Sequence, residues 1–207
     1  MPVVNTALIQ RLAAQELERA AQFLMDLMRY PSLAGAEAEA MRFLLEEFKP
    51  LTDRVDLVPF PADFTKDPEY SFPVAGLDYG RQFNVRLAWN ETVAGPTLLF
   101  NAHADVVPPS RNQALPFDPR RDADVIFGRG ACDDKGQIAM LYLTLRILNQ
   151  LPERPRVRVV GHLVVEEENG GNGTLGMVRT GETADGTIVL EPTGGRILTS
   201  VRGAVWF

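Results

Sequence analysis

Apolar side chains near the start of the chain fall at Leu8, Leu12, Leu17, Ala20, Leu24 and Met28, three to five residues apart. That period puts them on one face of a helix over 6–28, with Asn5 or Thr6 as its cap and Pro31 beyond its end. Ala38, Met41, Leu45 and Phe48 repeat the spacing in a shorter helix that Pro50 should stop. Val55 and Leu57 then alternate with Asp56 and Val58, as in a strand. The periodicity breaks over 59–80, where four prolines mix with Phe60, Phe64, Tyr70 and Phe72, so a long ordered loop is expected rather than a flexible linker.

Beyond the loop, FNVRLAW (83–89) and TLLFNAH (97–103) read as strands, and a helix is expected from Lys135 to Leu151. RVRVVGHLVV (156–165) reads as a strand, 174–180 as a short helix and TIVLE (187–191) as another strand. Apolar runs bounded by turns and alternating with helices predict an α/β fold, a mostly parallel sheet with helices on both faces. No internal repeat is visible. RILTSVRGAVWF, after the Gly194-Gly195 break, reads as a new strand that stops in mid-element. The chain is therefore expected to be truncated, with a first domain over 1–195 and the start of a second over 196–207.

Composition narrows the classes. Hydrophobic residues make up 45% of 207 and charged residues 23%, enough for a sizeable core and too apolar for disorder. The net charge is −6 and no Lys/Arg cluster occurs, which argues against nucleic-acid or anionic-membrane partners. MPVVNTALIQRLAAQ lacks the basic and apolar regions of a signal peptide. The longest uncharged apolar stretch, Gly136 to Leu145, is far below the ~18 residues of a membrane span. The lone cysteine, Cys132, allows no internal disulfide, so a cytoplasmic location is the default.

Ligands of open α/β sheets bind outside the carboxyl ends of the strands. The run TLLFNA leads into His103 and Asp105, RVRVVGHLVV into Glu166-Glu167-Glu168, and TIVL into Glu191, while Asp133-Asp134 precedes the long helix. Each has a bland reading: His103 as a structural imidazole, the glutamates as a solvated turn, the aspartate pair as a helix cap. Together, converging carboxylates around one imidazole are costly without a cation. Such a donor set suits Zn²⁺, with Co²⁺ or Mn²⁺ as alternatives. Asp105, two residues from His103, can orient the imidazole. His162 lies six residues before Glu168, roughly 20 Å along an extended strand, and reads as a core residue. Cys132 beside two acids reads as a small buried hydrophobe. Ser32 and Ser110, in loops with no histidine close in sequence, give no support to a Ser-His-Asp site.

NAHADVVP, FGRGACDDKGQ, VVEEENGG and VLEPT, in this order, resemble the signature blocks of one zinc-dependent amidohydrolase and exopeptidase family. It contains acetylornithine deacetylase, succinyl-diaminopimelate desuccinylase, aminoacylase and glutamate carboxypeptidase. The resemblance implies that 1–195 is the N-terminal portion of a zinc-exopeptidase-like catalytic domain, and that 196–207 begins a lid and dimerisation domain. It implies that His103, Asp133 and Glu191 bind one metal and that Asp133 bridges to a second, held also by Glu168. Asp105 would orient His103, and Glu167 would be the general base for a metal-activated water attacking the amide of an N-acyl amino acid or small peptide. It implies a cis Asp133-Asp134 peptide and possible homodimerisation of the full-length parent. The family's further histidine ligand and its lid lack counterparts here, since the only histidines are His103 and His162. The chain alone should therefore hold one metal well, hold the second poorly, and be nearly inactive.

Two rivals stand beside this reading. Gly171, Gly173 and Gly176 match G-x-G-x-x-G between a strand and a helix, as in a dinucleotide-binding oxidoreductase, although Glu166 to Glu168 put negative charge where a pyrophosphate would lie. The other rival is a non-catalytic metal-binding domain.

Overall fold

Asn5 opens the first helix by accepting the Leu8 N–H at 3.0 Å. The structure is a computed structural model that describes residues 5–71, 74 and 76–200. Helix α1 (Thr6–Met28) buries Leu12, Ala20, Phe23, Leu24, Leu27 and Met28. Leu17 belongs to the expected stripe but is exposed, and the neighbouring Glu16 is buried instead, against Arg146. Helix α2 (Ala38–Phe48) ends where expected, and Pro50 then sits in a short 3-10 turn rather than in a loop. Helix α3 (Lys135–Leu148) stops three residues short of the expected Leu151, at Asn149. The Asn149 side chain accepts from Trp89 Nε1 and donates to the Leu51 carbonyl, so it serves tertiary packing there. Helix α4 (Asn172–Val178) lies slightly earlier than expected.

The main sheet has five strands: β1 (Arg54–Pro59), β2 (Phe83–Trp89), β3 (Thr97–His103), β6 (Arg158–Val164) and β7 (Gly186–Val189), in the order β1-β2-β6-β3-β7. β6, β3 and β7 are parallel neighbours, whereas β2 pairs antiparallel with both β1 and β6. Four of the five strands run the same way, as expected of a mostly parallel sheet, and β2 alone runs against them and makes the sheet mixed. A short hairpin of β4 (Arg120–Asp122) and β5 (Val125–Phe127) is a further element that the sequence pattern did not announce.

Phe83, Val85, Leu87 and Trp89 alternate along β2 toward the core that α1, α2 and α3 cover. There Phe23 stacks on Tyr142 with ring centroids 4.1 Å apart and meets Phe48 edge-on. Truncating so buried an aromatic costs about 3–5 kcal/mol. On the opposite face Asn84 reaches α4, donating to the Gly173 carbonyl at 2.8 Å. Helices thus cover both faces, three on one side and a short one on the other. The 59–80 loop is ordered where described: Phe60, Phe64, Tyr70 and Tyr79 form one aromatic cluster, while Phe72 lies outside the described residues. Residues 196–200 form no strand, and the rest of the segment expected to be one, 201–207, lies outside the described residues. Among the described residues, no helix is long and apolar enough to cross a membrane.

Candidate metal centre

The parallel run of β6, β3 and β7 brings three strand ends to one edge of the sheet. His103 closes β3, Glu166 to Glu168 follow β6, Glu191 follows β7, and Asp133-Asp134 lie at the N-terminus of α3. One donor atom each from His103, Asp133, Asp134 and Glu191 can be chosen so that all four lie within 4.8 Å of one another.

His103 is almost fully buried. Its Nδ1 lies 3.0 Å from the Asp105 carbonyl oxygen and 3.4 Å from the Asp105 carboxylate. Its Nε2 lies 3.0 Å from Asp133 Oδ1 and 3.8 Å from Glu167 Oε2. Asp105 is itself buried, and its two carboxylate oxygens accept the backbone N–H groups of Glu167 and Glu168, each at 3.0 Å. One carboxylate therefore ties the end of β3 to the turn after β6. Glu168 reaches this region through that backbone contact and lies outside the four-residue donor group.

Asp134 is the residue that sequence reasoning passed over. It occupies the cap position of α3 yet makes no side-chain cap hydrogen bond. Instead Oδ2 accepts the His103 N–H at 3.0 Å, and Oδ1 is buried without a donor. The Asp133-Asp134 peptide is cis, as the resemblance implied.

Burial pushes the Asp134 carboxyl up to about 8, against the pull of His103 and with help from Glu191 and Asp133. Burial opposes a charged His103, but the hydrogen bond to Asp105 and the charges of Asp105, Asp134 and Glu167 outweigh it and hold the imidazole at about 10. Glu167, Glu168 and Glu191 are all raised, first through burial and then through Asp133, with Asp105 adding for Glu167 and Glu168 and Glu167 adding for Glu168 and Glu191, against the pull of His103. In the metal-free chain, a proton on His103 is thus the cation that this acidic cluster holds. One nitrogen and several carboxylate oxygens around an unpartnered Asp134 oxygen fit a divalent cation of the zinc, cobalt or manganese kind.

The other candidates fall elsewhere. His162 is buried, on the strand position opposite Arg86, and pairs with Glu182 at 2.8 Å, so it sits in an ionic network rather than an apolar core. Cys132 is exposed, which corrects the expectation of a buried hydrophobe; it shares the outward side of the turn with Asp133, while Asp134 is turned inward. Ser32 is buried and donates to the Ala104 carbonyl, a structural contact. The glycines of the G-x-G-x-x-G pattern have structural causes: Gly171 sits at φ +77°, and Gly173 and Gly176 are required by packing. A Cβ on Gly173 would lie 1.8 Å from the Val165 carbonyl oxygen, and one on Gly176 would lie 2.8 Å from Phe60. The pattern thus has a cause unrelated to a pyrophosphate.

Comparison with known families gives a class to this α/β domain with its histidine–carboxylate cluster at the carboxyl edge of the parallel strands. Residues 99–201 match the peptidase family M20/M25/M40, and the chain contains part of an M20 family domain. Among its relatives is the succinyl-diaminopimelate desuccinylase of Methylorubrum extorquens, 32% identical over 178 residues, which span 81% of this chain and 42% of that protein. A probable carboxypeptidase of Arthroderma otae is 27% identical over 193 residues, 84% of this chain and 42% of the relative. The crystal structure of an M20 family metallo-carboxypeptidase from Sulfolobus solfataricus shares the fold, with a TM-score of 0.64 at 22% identity over 83% of this chain and 37% of that one. The chain thus spans about two-fifths of the length of the curated relatives it matches.

Proposed function

We propose that this chain is the N-terminal, metal-binding portion of a hydrolase that cleaves the amide bond of an N-acyl amino acid or small peptide. The observation that carries the reading is the convergence of donor atoms from His103, Asp133, Asp134 and Glu191 beside Glu167. His103, Asp133 and Glu191 would hold one metal, zinc by preference, with Asp133 and Glu168 contributing to a second in the whole protein. Bound there, the metals supply Lewis-acid polarisation of the amide carbonyl and lower the pKa of water.

The chain's own groups do the rest. Glu167 has a partly solvent-exposed side chain, and its raised pKa suits a group that takes a proton and gives it back. It accepts the proton of the attacking water and passes it to the leaving amine, so that an amide and water become a carboxylate and an amine. Asp105 holds His103 in one orientation through Nδ1 and sets the turn that carries Glu167. We place the end of this catalytic portion near Gly195, with 196–207 leading into a lid and dimerisation domain of a cytoplasmic homodimer. Nucleic acid and membrane have no place among its partners. The test uses the whole protein that carries this chain. Glu167→Ala should lower hydrolysis by about 10²–10⁴-fold, the usual contribution of a general base, with bound metal unchanged. Glu168→Ala should instead lose metal. Equal metal loss in both variants would refute the division of roles.

A further inference from the structure

Glu166 precedes the proposed base and is the one member of Glu166-Glu167-Glu168 whose side chain is turned away from the donor cluster. It is 1% exposed and sits at φ +57°, a left-handed conformation that non-glycine residues rarely adopt. Both of its oxygens are engaged elsewhere. Tyr79 donates its hydroxyl to Glu166 Oε2 at 2.5 Å, and Asn172 Nδ2 donates to Oε1 at 3.3 Å.

Those two donors are themselves anchored. Tyr79 lies in the aromatic cluster with Phe60, Phe64 and Tyr70. Asn172 exchanges two hydrogen bonds with the backbone of Ser71, 3.1 Å and 2.7 Å long, and Ser71 Oγ donates to the Gly170 carbonyl at 2.9 Å. The 60–82 loop is thereby fastened to both sides of the turn after β6. Within the turn, the Glu167 carbonyl accepts from Gly170 and Gly171, and the N–H groups of Glu167 and Glu168 donate to Asp105. The side chain of Glu166 points one way and the N–H groups of the next two residues point the other, so fixing the first fixes the direction of the second.

We propose that Tyr79 and Asn172 are positioning residues for Glu167, acting through the buried carboxylate of Glu166. The loop supplies the fixed wall against which Glu166 is held, and the left-handed turn this maintains aims Glu167 past His103. This rests on the functional reading above. A general base displaced by about 1 Å can cost 10²-fold in rate while substrate binding is kept, so the defect should fall on kcat.

The test pairs two measurements on Tyr79→Phe, which removes one hydroxyl and keeps the ring in its cluster. In the metal-free 207-residue chain, amide hydrogen exchange at Glu167 and Glu168 should quicken at least 10-fold relative to the rest of the molecule. In the whole protein, kcat should fall about 10-fold or more with KM within twofold and metal content unchanged. Asn172→Ala should shift both readouts the same way. Phe48→Leu, which loosens the core on the opposite face of the sheet and touches neither Tyr79 nor Glu166, should quicken exchange evenly and spare kcat. Unchanged exchange, or faster exchange with parent-like kcat, overturns the proposal, as does a kcat loss shared equally by Phe48→Leu. A wild-type protein without hydrolysis sinks the functional reading and the catalytic half of this one together. An active wild type with a parent-like Tyr79→Phe sinks this inference alone.

Discussion

Asp134 is the residue whose surroundings make least sense without a cation. Its Oδ2 is satisfied by the His103 N–H, and its Oδ1 has no donor. Asp134→Asn keeps the shape and the acceptor but removes the charge. Metal affinity should fall about 10–100-fold, read by competition with a chelator. The metal-free chain should respond the opposite way. A carboxyl raised from 3.8 to about 8 on folding contributes stability below its unfolded pKa and loses it as pH rises through about 8. Metal-free wild type should therefore lose denaturation resistance between about pH 4 and pH 8, and Asp134→Asn should flatten that slope; an unchanged slope would show that the carboxyl is not held neutral. His103, Asp105, Glu167 and Glu191 were legible because each follows an apolar run that had to be a strand. Asp134 was not, since two adjacent acids carry no sign of which one the chain will turn inward. Cys132 went astray for the same reason, because the acids beside it say nothing about its own exposure.

At the scale of elements, the turn joining β6 to α4 is where sequence pattern and packing diverge most. G-x-G-x-x-G reads as a phosphate loop, yet Gly173 is there because the first turn of α4 lies on the Val165 carbonyl. Gly173→Ala should destabilise the chain by about 1–3 kcal/mol or more, as overpacking does, and denaturant unfolding measures it. A neutral result would revive a ligand-binding reason for the glycine. Helix spans and most strands were legible because a 3.6 or 2.0 period survives in sequence, as Ala38–Phe48 shows. Strand direction was not: the apolar run of β2 looks the same whether it runs with β6 or against it. The β4–β5 hairpin escaped because its strands are largely exposed and lack the alternation that burial imposes.

For the molecule as a whole, the mixed sheet sets how many donors one edge can gather. β2 runs opposite to β6, so its carboxyl end lies at the far edge, and β1 ends on the near edge but two strands away from β6, which leaves β6, β3 and β7 to feed the cluster. On the proposed assignment, the 207-residue chain offers His103, Asp133 and Glu191 to one ion but only Asp133 and Glu168 to another. After dialysis it should retain about one metal, against two in the whole protein under the same buffer, with elemental analysis as the readout. Two ions held tightly by the short chain would mean that the second site needs no imidazole.

Lys135 follows the donor cluster directly, and its ammonium group, buried, donates to the carbonyls of Leu27 and Tyr30 at the end of α1. Those carbonyls already accept the N–H groups of Tyr30 and Ser32, and Lys135 adds a second donor to each, pinning α1 beside the proposed site. The two ends of that pin are 108 residues apart for Leu27. At about 5–20 residues per second of synthesis, α1 waits on the order of 5–20 s before its partner exists. During that interval Phe23, Leu24, Leu27 and Met28 have no α3 to cover them. Helix α1 is thus made well before the partner it docks on, and until α3 emerges its apolar face is a stretch for a chaperone to shield.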